Sequence, residues 1–496
     1  MSDRKKVTVA MLIATFLSAI EVTVVSTAIP RIASDLGGIQ YISWVFAAYL
    51  LASTVTIPIF GKLADLFGRK RVFMFGGIVF LIGSMLSGTA GSMTWLIWFR
   101  AVQGVGAGAL NPTTFTIIGD LYPYEQRAKV QGLFSSVWGL AGLVGPLIGG
   151  FLVDYVSWRW IFYINLPFGL LAMLMVMLFL KEEGEIKEKP EVDYLGALTF
   201  FIAVTSLLFV LSVGGTEVSW TTPYLQGLAA AGGIGFILFF WIETKAREPM
   251  LPLRLFQIPS ILVANVISFL ASSILIALNV YTPLWVQGVI GYGAAGSGMV
   301  LLPMSLAWMS GAFVGGRLML KTGPRLTAFF GMLFILAGCL ALGNIDIHTP
   351  GWILPVVMLA NGFGFGFVIT VCTVIVQSSV KWNLRATATA SNTFLRSLGQ
   401  TVGVTVFGAL FNLSLQNNAW NQKMQIPVSE INRLLDAHGL SAVPKGLLSG
   451  LRETLALGMH HIFLILIGIA VVNLGLTLAL PAGKPDVQAR TVSDRA

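Results

Sequence analysis

Glu21 is the residue whose placement most demands a chemical role. It stands fourteen residues beyond Val7, inside an apolar run that continues to about Ile29, roughly 20 Å along a helix. Every other acidic residue falls in a loop, a tail or a terminal turn of such a run. An ionisable group at that depth in a membrane is unfavourable by about 3 kcal/mol or more, so it faces a cavity or a partner and marks a solute or proton path. A carboxyl group held away from bulk water suits reversible proton uptake; the competing reading is a neutral glutamate that packs helices together. Arg100 is the complementary cation, near the start of a run that holds Gln103, Gly104, Gly106 and Gly108. A guanidinium does not shed its charge, so its partner is Glu21, a carbonyl of the first run or water in a cavity.

The segment from Gly61 to Arg71 carries a different chemistry. Gly61 and Gly68 permit a tight turn, Asp65 can accept from the first amides of a helix, and Arg69 offers a fork to a carboxylate. Asp120, at the end of the fourth run, is the expected acceptor for Arg69. Such a group would latch one conformation shut. Gly145 and Pro146 lie in a glycine-rich fifth run, where a proline removes a backbone bond and allows a kink with close packing. Polar and aromatic residues inside the runs are candidates for the wall of a substrate cavity: Asn111, Thr113, Trp138, Asn279, Tyr281, Asn361, Gln377, Asn392 and Arg396. Each has a plainer alternative as an interface anchor or an interhelical hydrogen bond.

Helices that cross a membrane must position these side chains. The 496 residues are 56% hydrophobic and 11% charged, a charged share less than half that of an average soluble domain. Fourteen apolar runs each suit a spanning helix, at about 7–29, 42–61, 72–90, 94–118, 131–154, 159–180, 194–213, 222–242, 258–282, 295–315, 325–343, 352–376, 386–411 and 460–480. The first follows Arg4, Lys5 and Lys6 with no evident small-residue cleavage site, so it reads as a retained helix rather than a signal peptide. Most of the 31 Lys and Arg residues fall in alternate short loops, and the positive-inside rule then puts both termini in the cytoplasm. The net charge of +9 thus belongs to topology and not to a nucleic-acid surface. Cys339 and Cys372 sit inside runs as small hydrophobes, with no disulfide framework. Neither Gly61-Lys62 nor Gly483-Lys484 completes a phosphate-binding loop. Energy is therefore expected from a gradient, with no enzymatic activity, cofactor or metal.

The organisation is repetitive. Gly61 to Arg71 follows the second run, and Gly316 to Arg325 follows the tenth with glycines and leucines in register. Residues 1–180 are expected to form one six-helix bundle, 181–257 a linker with two inserted helices, and 258–496 a second six-helix bundle. The second bundle carries a long outer loop at about 412–459, in which Ile431, Leu434, Leu435 and His438, after Ser429, predict a short amphipathic helix.

Taken together these segments resemble the major facilitator superfamily, and within it the fourteen-helix drug:proton antiporter branch. The likeness is carried by Glu21-Val-Thr23 through Pro30, Gly61 to Arg71, Arg100 to Gly108, Gly145-Pro146 through Gly150, and Trp158 through Pro167. It implies an all-α polytopic membrane protein and a multidrug exporter driven by proton antiport with alternating access. By that resemblance Glu21 and Arg100 serve proton coupling. Gly61, Asp65, Gly68, Arg69, Asp120, Gly145 and Pro146 serve conformational gating, and Tyr281 and Gln287 belong to the ninth helix and its exit, which adds Gln287 to the cavity candidates. The implied setting is a monomer in a bacterial plasma membrane, in contact with lipid, exchanging protons for small hydrophobic or cationic compounds. Export or flipping of a lipid or other amphiphile is the alternative. The chain departs from the branch in having Glu21 where aspartate is usual, Ala141 where glycine is common and Leu320 where the second-half loop usually holds an acid. The latch is therefore expected to be one-sided.

Overall fold

Long stretches of Leu, Val, Ile, Phe and Ala leave a chain in a bilayer no hydrogen-bond partner for its backbone but itself, so each stretch closes into a helix. The computed structural model describes residues 3–36, 42–182, 193–213, 221–246, 249, 253–292, 294–347, 349–421 and 445–483, and contains no strand among them. The helices are α1 (Asp3–Leu36), α2 (Ile42–Phe67), α3 (Arg69–Thr89), α4 (Met93–Leu121), α5 (Tyr124–Tyr155), the single turn α6 (Trp160–Tyr163), α7 (Asn165–Phe179), α8 (Tyr194–Val213), α9 (Pro223–Lys245), α10 (Pro259–Trp285), α11 (Ala294–Gly343), α12 (Ile353–Ser378), α13 (Arg385–Asn421) and α14 (Lys445–Thr477). Each span expected from the sequence overlaps a helix; α6 and α7 share the sixth, and α11 holds both the tenth and the eleventh. Eight helical stretches among the described residues are long and apolar enough to cross a membrane. Helix α4 is not one of them, because Arg100, Gln103, Asn111, Thr113, Thr114 and Thr116 interrupt its apolar surface.

The two repeated turns are tighter than the sequence suggests. Only Gly68 separates α2 from α3, and α11 passes through the matching segment with a single break at Gly323. Gly68 (φ +95) and Gly323 (φ +84) share a backbone conformation that glycine alone adopts freely. They stand at equal distances after Gly61 and Gly316, so the repeat in sequence is also a repeat in backbone. The outer loop is shorter as well, since α13 continues to Asn421 and α14 begins at Lys445. Hydropathy marks only the apolar part of a helix, whereas the backbone goes on bonding through polar end turns. The amphipathic helix expected after Ser429 lies outside the described residues.

Glycine spacing explains how the helices approach one another. Gly104 and Gly108, one turn apart, meet Tyr49, Ser53 and Thr56 of α2, while Gly106 between them meets Gly76 and Phe80 of α3. The second bundle repeats the device on α12: Gly362 and Gly366 face Met304, Trp308 and Ala312, and Gly364 faces Gly331 and Ile335 beyond the bend of α11. Small residues let backbones pack closely, which is what holds helices together where no water drives them. Between bundles, α5 packs on α11 through Gly132 at Phe313 and Gly139 at Ser305, and α2 packs on α13 through Gly61 at Ala390. The inserted α8 and α9 pack on each other, and α8 lies against α2 and α13. Phe200, Val204 and Leu208 of α8 join Val55, Ile57, Ala390 and Phe394 in one apolar cluster there.

Candidate functional site

Helix α1 places Glu21 in the middle of the first bundle, 2% exposed, facing α4 and α7. Arg100 of α4, fully buried, pairs with it directly through Nη1 and Glu21 Oε1. The other carboxylate oxygen, Oε2, accepts from Asn165 Nδ2 at 2.6 Å. Asn165 also reaches Ser84 Oγ of α3 at 2.9 Å, and Ser84 in turn donates to the Phe162 carbonyl. The guanidinium is satisfied from several sides: Nη1 to Gln103 Oε1 at 2.7 Å, Nε to the Val45 carbonyl at 3.3 Å, and the Tyr49 ring with its centroid 4.3 Å away. A buried charge is tolerable only when paired and fully bonded, and both members of this pair are. One carboxylate thus ties α1 to α4 and α7, with α2 and α3 as the surrounding wall. Neutralising it would loosen three helices together.

The second cluster joins the bundles at the end that carries Gly68. Arg69 bonds Asp65 Oδ1 at 2.7 Å and faces Asp120 Oδ2 at 3.2 Å. It also donates to the Trp382 carbonyl at 2.7 Å and lies over the Trp382 ring at 3.7 Å. Asp65 then crosses to the other bundle, accepting from the backbone of Ala386 at 3.2 Å and of Thr387 at 2.7 Å, and from Thr387 Oγ1 at 2.7 Å. Those are the first amides of α13, so Asp65 caps that helix from a different bundle and its charge complements the helix dipole. Asp120 pairs with Arg385 at the same helix start, and Arg385 also reaches the Gly119 carbonyl at 3.2 Å. Arg127 to Ser378 at 3.0 Å and Gln377 to the Phe115 carbonyl at 3.0 Å complete the seam. The acids come from the first bundle, and the second supplies Arg385 and a helix terminus. In α11 the position matching Asp65 holds Leu320, not an acid, and Arg325, in register with Lys70, donates to the Leu480 carbonyl at 2.7 Å.

A sequence model of the Major Facilitator Superfamily matches residues 11–404. The chain belongs to the major facilitator superfamily. It is 35% identical to Multidrug resistance protein 3 of Bacillus subtilis (strain 168), over 94% of this chain and 92% of that protein. It is 39% identical to the multidrug transporter protein MdtP of the same organism, over 83% of this chain and 76% of that protein. In fold it is similar to the human organic anion transporter MFSD10 (TETRAN), with a TM-score of 0.63 at 13% identity, covering 96% of this chain and all of that one. It is likewise similar to the proton:xylose symporter XylE, with a TM-score of 0.62 at 14% identity, covering 97% and 98% of the two chains. This chain is a multi-pass membrane transporter, with two helix bundles and an inserted pair.

Within this facilitator the remaining sequence candidates fall in several places. Asn392 and Arg396 lie on α13, where Asn392 donates to Asn265 Oδ1 at 2.9 Å and Ser268 Oγ at 3.0 Å of α10. Asn361 is buried on α12 against Gly338 and donates to the Val357 carbonyl at 3.0 Å. Tyr281 is buried with its ring 5.6 Å from that of Phe411. Asn111 is half-buried on α4, Trp138 is 45% exposed on α5, and Gly145 is buried in α5. The side chains of Pro146 and Gln287 lie outside the described residues. Sequence reasoning gave no role to Asn165, Tyr49, Arg385 or Thr387. Asn165 is a polar residue inside an apolar run and was visible on that ground; Tyr49 and Thr387 carry no such signal, because only packing brings them to a charge.

Proposed function

We propose that this transporter exports small amphiphilic organic compounds in exchange for protons, by alternating access to a site between the two bundles. The observation that carries the reading is the buried Glu21–Arg100 pair, a titratable link between three helices of one bundle. Proton arrival at Glu21 removes the negative partner of Arg100 and weakens the tie of α1 to α4 and α7. Loss of the proton restores it. The latch around Asp65, Arg69, Asp120 and Arg385 is closed in this structure, and its opening is the counterpart step that admits cargo. The basic loops support a cytoplasmic position for that end and for both chain termini, and the bacterial relatives support a bacterial plasma membrane as the setting. The relatives named for multidrug resistance and multidrug transport support drug-like cargo. A pH difference of one unit supplies about 1.4 kcal/mol per proton, and 100 mV supplies about 2.3 kcal/mol per charge moved. One or two protons therefore sustain a useful concentration gradient.

Proteoliposomes holding the wild type or Glu21→Gln test this directly. The wild type is expected to move protons when an amphiphilic dye is supplied and to accumulate dye when a proton gradient is supplied. The variant is expected to do neither. Coupled transport unchanged in Glu21→Gln would remove Glu21 from the mechanism, and lipid movement without dye transport would replace drug export by flipping of an amphiphile.

A further inference from the structure

The two membrane arginines are compensated very differently. Arg100 has a carboxylate, an amide, a carbonyl and an aromatic face. Arg396, on α13, has a shielded Nε without a hydrogen-bond partner, and the described residues supply it with no carboxylate. Acids are scarce in its own bundle: among the described residues from Pro259 to Thr477 the sequence contains Asp346, exposed in the turn after α11, and Glu453, exposed on α14. The Cys372 thiol of α12 lies within electrostatic reach of Arg396, and one turn before Arg396 stand Asn392 and its partners Asn265 and Ser268 of α10. On α10 and α13 three more shielded polar atoms lack partners, Asn265 Nδ2, Ser272 Oγ and Ser391 Oγ. The residue as a whole is only partly buried, so its open surface belongs to atoms other than Nε.

A guanidinium keeps its charge in any surroundings, and an uncompensated one away from bulk water is unfavourable by several kcal/mol. Protein chains retain such a group where a ligand completes it, because the planar fork matches an oxyanion with two parallel bonds. Glu21 is already committed to Arg100 and Asn165 in this state, so the open charge among the helices is positive. We infer that Arg396, with Asn392 and Asn265 beside it, recognises an oxyanion on the carried compound, and that the cargo includes amphiphilic organic carboxylates. This rests on the export reading and names the polar end of its substrate. The guanidinium takes the carboxylate, the open Asn265 Nδ2 donates to an acceptor nearby, and Asn392, whose Nδ2 already bonds Asn265 and Ser268, holds Asn265 in place.

The test is equilibrium binding of 1-pyrenebutyrate and of its methyl ester to the full chain in nanodiscs, with empty nanodiscs subtracted and no proton gradient. The wild type is expected to prefer the carboxylate by about tenfold, equivalent to about 1.4 kcal/mol. Arg396→Gln is expected to lose that preference, and Arg396→Lys, which keeps a cation without the fork, to fall between. A wild type that binds both probes equally overturns the proposal whatever the variants do, and so does a preference that survives Arg396→Gln. Transport of the same two probes in proteoliposomes separates the two readings. Preference in binding with no gradient-driven movement of either probe would sink export and leave the oxyanion site standing, whereas driven movement of the ester with no preference for the carboxylate would do the reverse.

Discussion

Glu21 with Arg100 in the first bundle and Asn392 with Arg396 in the second are two solutions to one problem, a cation among membrane helices. In the first, the counter-charge is built into the chain, and the carboxylate's partners Arg100 and Asn165 come from two neighbouring helices. In the second, the amides bond one another and the guanidinium is left without a carboxylate. The two halves share the alternation of glycines on α4 and α12 and the backbone conformation at Gly68 and Gly323. The repeat thus carries an internally paired charge on one side and an open one on the other.

The sharpest way to break the comparison is to remove the counter-charge. Glu21→Ala leaves Arg100 buried and unpaired and is expected to destabilise the fold by about 3–5 kcal/mol, read as a large drop in thermal unfolding temperature in detergent. Arg396→Gln should not fall at all on the same measurement, since it removes a charge that has no internal partner. Equal losses at both sites would show that the two arginines are compensated alike after all.

Much of this was legible in the sequence. Helix number, the two-bundle repeat, Glu21 and Arg100 as the exceptional charges, and Asp65 as an acceptor for helix amides all follow from residue type and spacing. What the sequence could not supply is which helix Asp65 caps. Its partners Ala386 and Thr387 lie more than three hundred residues away, and nothing about an alanine or a threonine at the start of a helix marks it as the target. The same holds for Tyr49, whose ring serves Arg100 only because Gly104 lets α2 and α4 touch. Long-range partners of ordinary residues become visible only through packing.

The latch offers the next largest effect, because it is where the asymmetry reaches the interface. Asp65→Asn removes the charge facing both Arg69 and the start of α13 and is expected to weaken closure by about 1–2 kcal/mol. A single cysteine introduced at Ser379, beside the seam, should then react with a water-soluble thiol reagent about ten times faster than in the otherwise wild-type background, after Cys339 and Cys372 have been replaced by serine. Arg325→Ala, in the matching turn of α11 where Leu320 stands in place of Asp65, removes no contact with an acid and is expected to leave that rate within twofold. Faster labelling in both would mean that the latch is not one-sided.

The paired glycines give a finer test of how alike the halves are. An alanine is strained by about 1–3 kcal/mol at either turn, where positive φ is combined with extended ψ, but the neighbours differ. At Gly68 the added methyl meets the end of the flexible Glu182 side chain, whereas at Gly323 it meets the backbone carbonyl of Ala482. Gly323→Ala should therefore lower the unfolding temperature more than Gly68→Ala, since a carbonyl held by the chain cannot swing away. If Gly68→Ala proved the worse of the two, the strain at that turn would have to come from the latch rather than from the backbone.

The smallest effect concerns the amides that stand beside Arg396. Asn392→Ala takes its two bonds from Asn265 and Ser268, and buried groups left unpaired lose about 1–3 kcal/mol. Asn392→Leu with Asn265→Leu removes both amides at once and replaces them by apolar contact, which is nearly neutral when shape is kept. If these amides serve only to hold α13 to α10, the double variant should recover both stability and transport. If they help to seat an oxyanion, stability should return while the affinity for a carboxylate probe stays low. The second outcome is the one expected, because a pair of amides kept next to an uncompensated guanidinium does more for a ligand than for a helix contact that leucines could make.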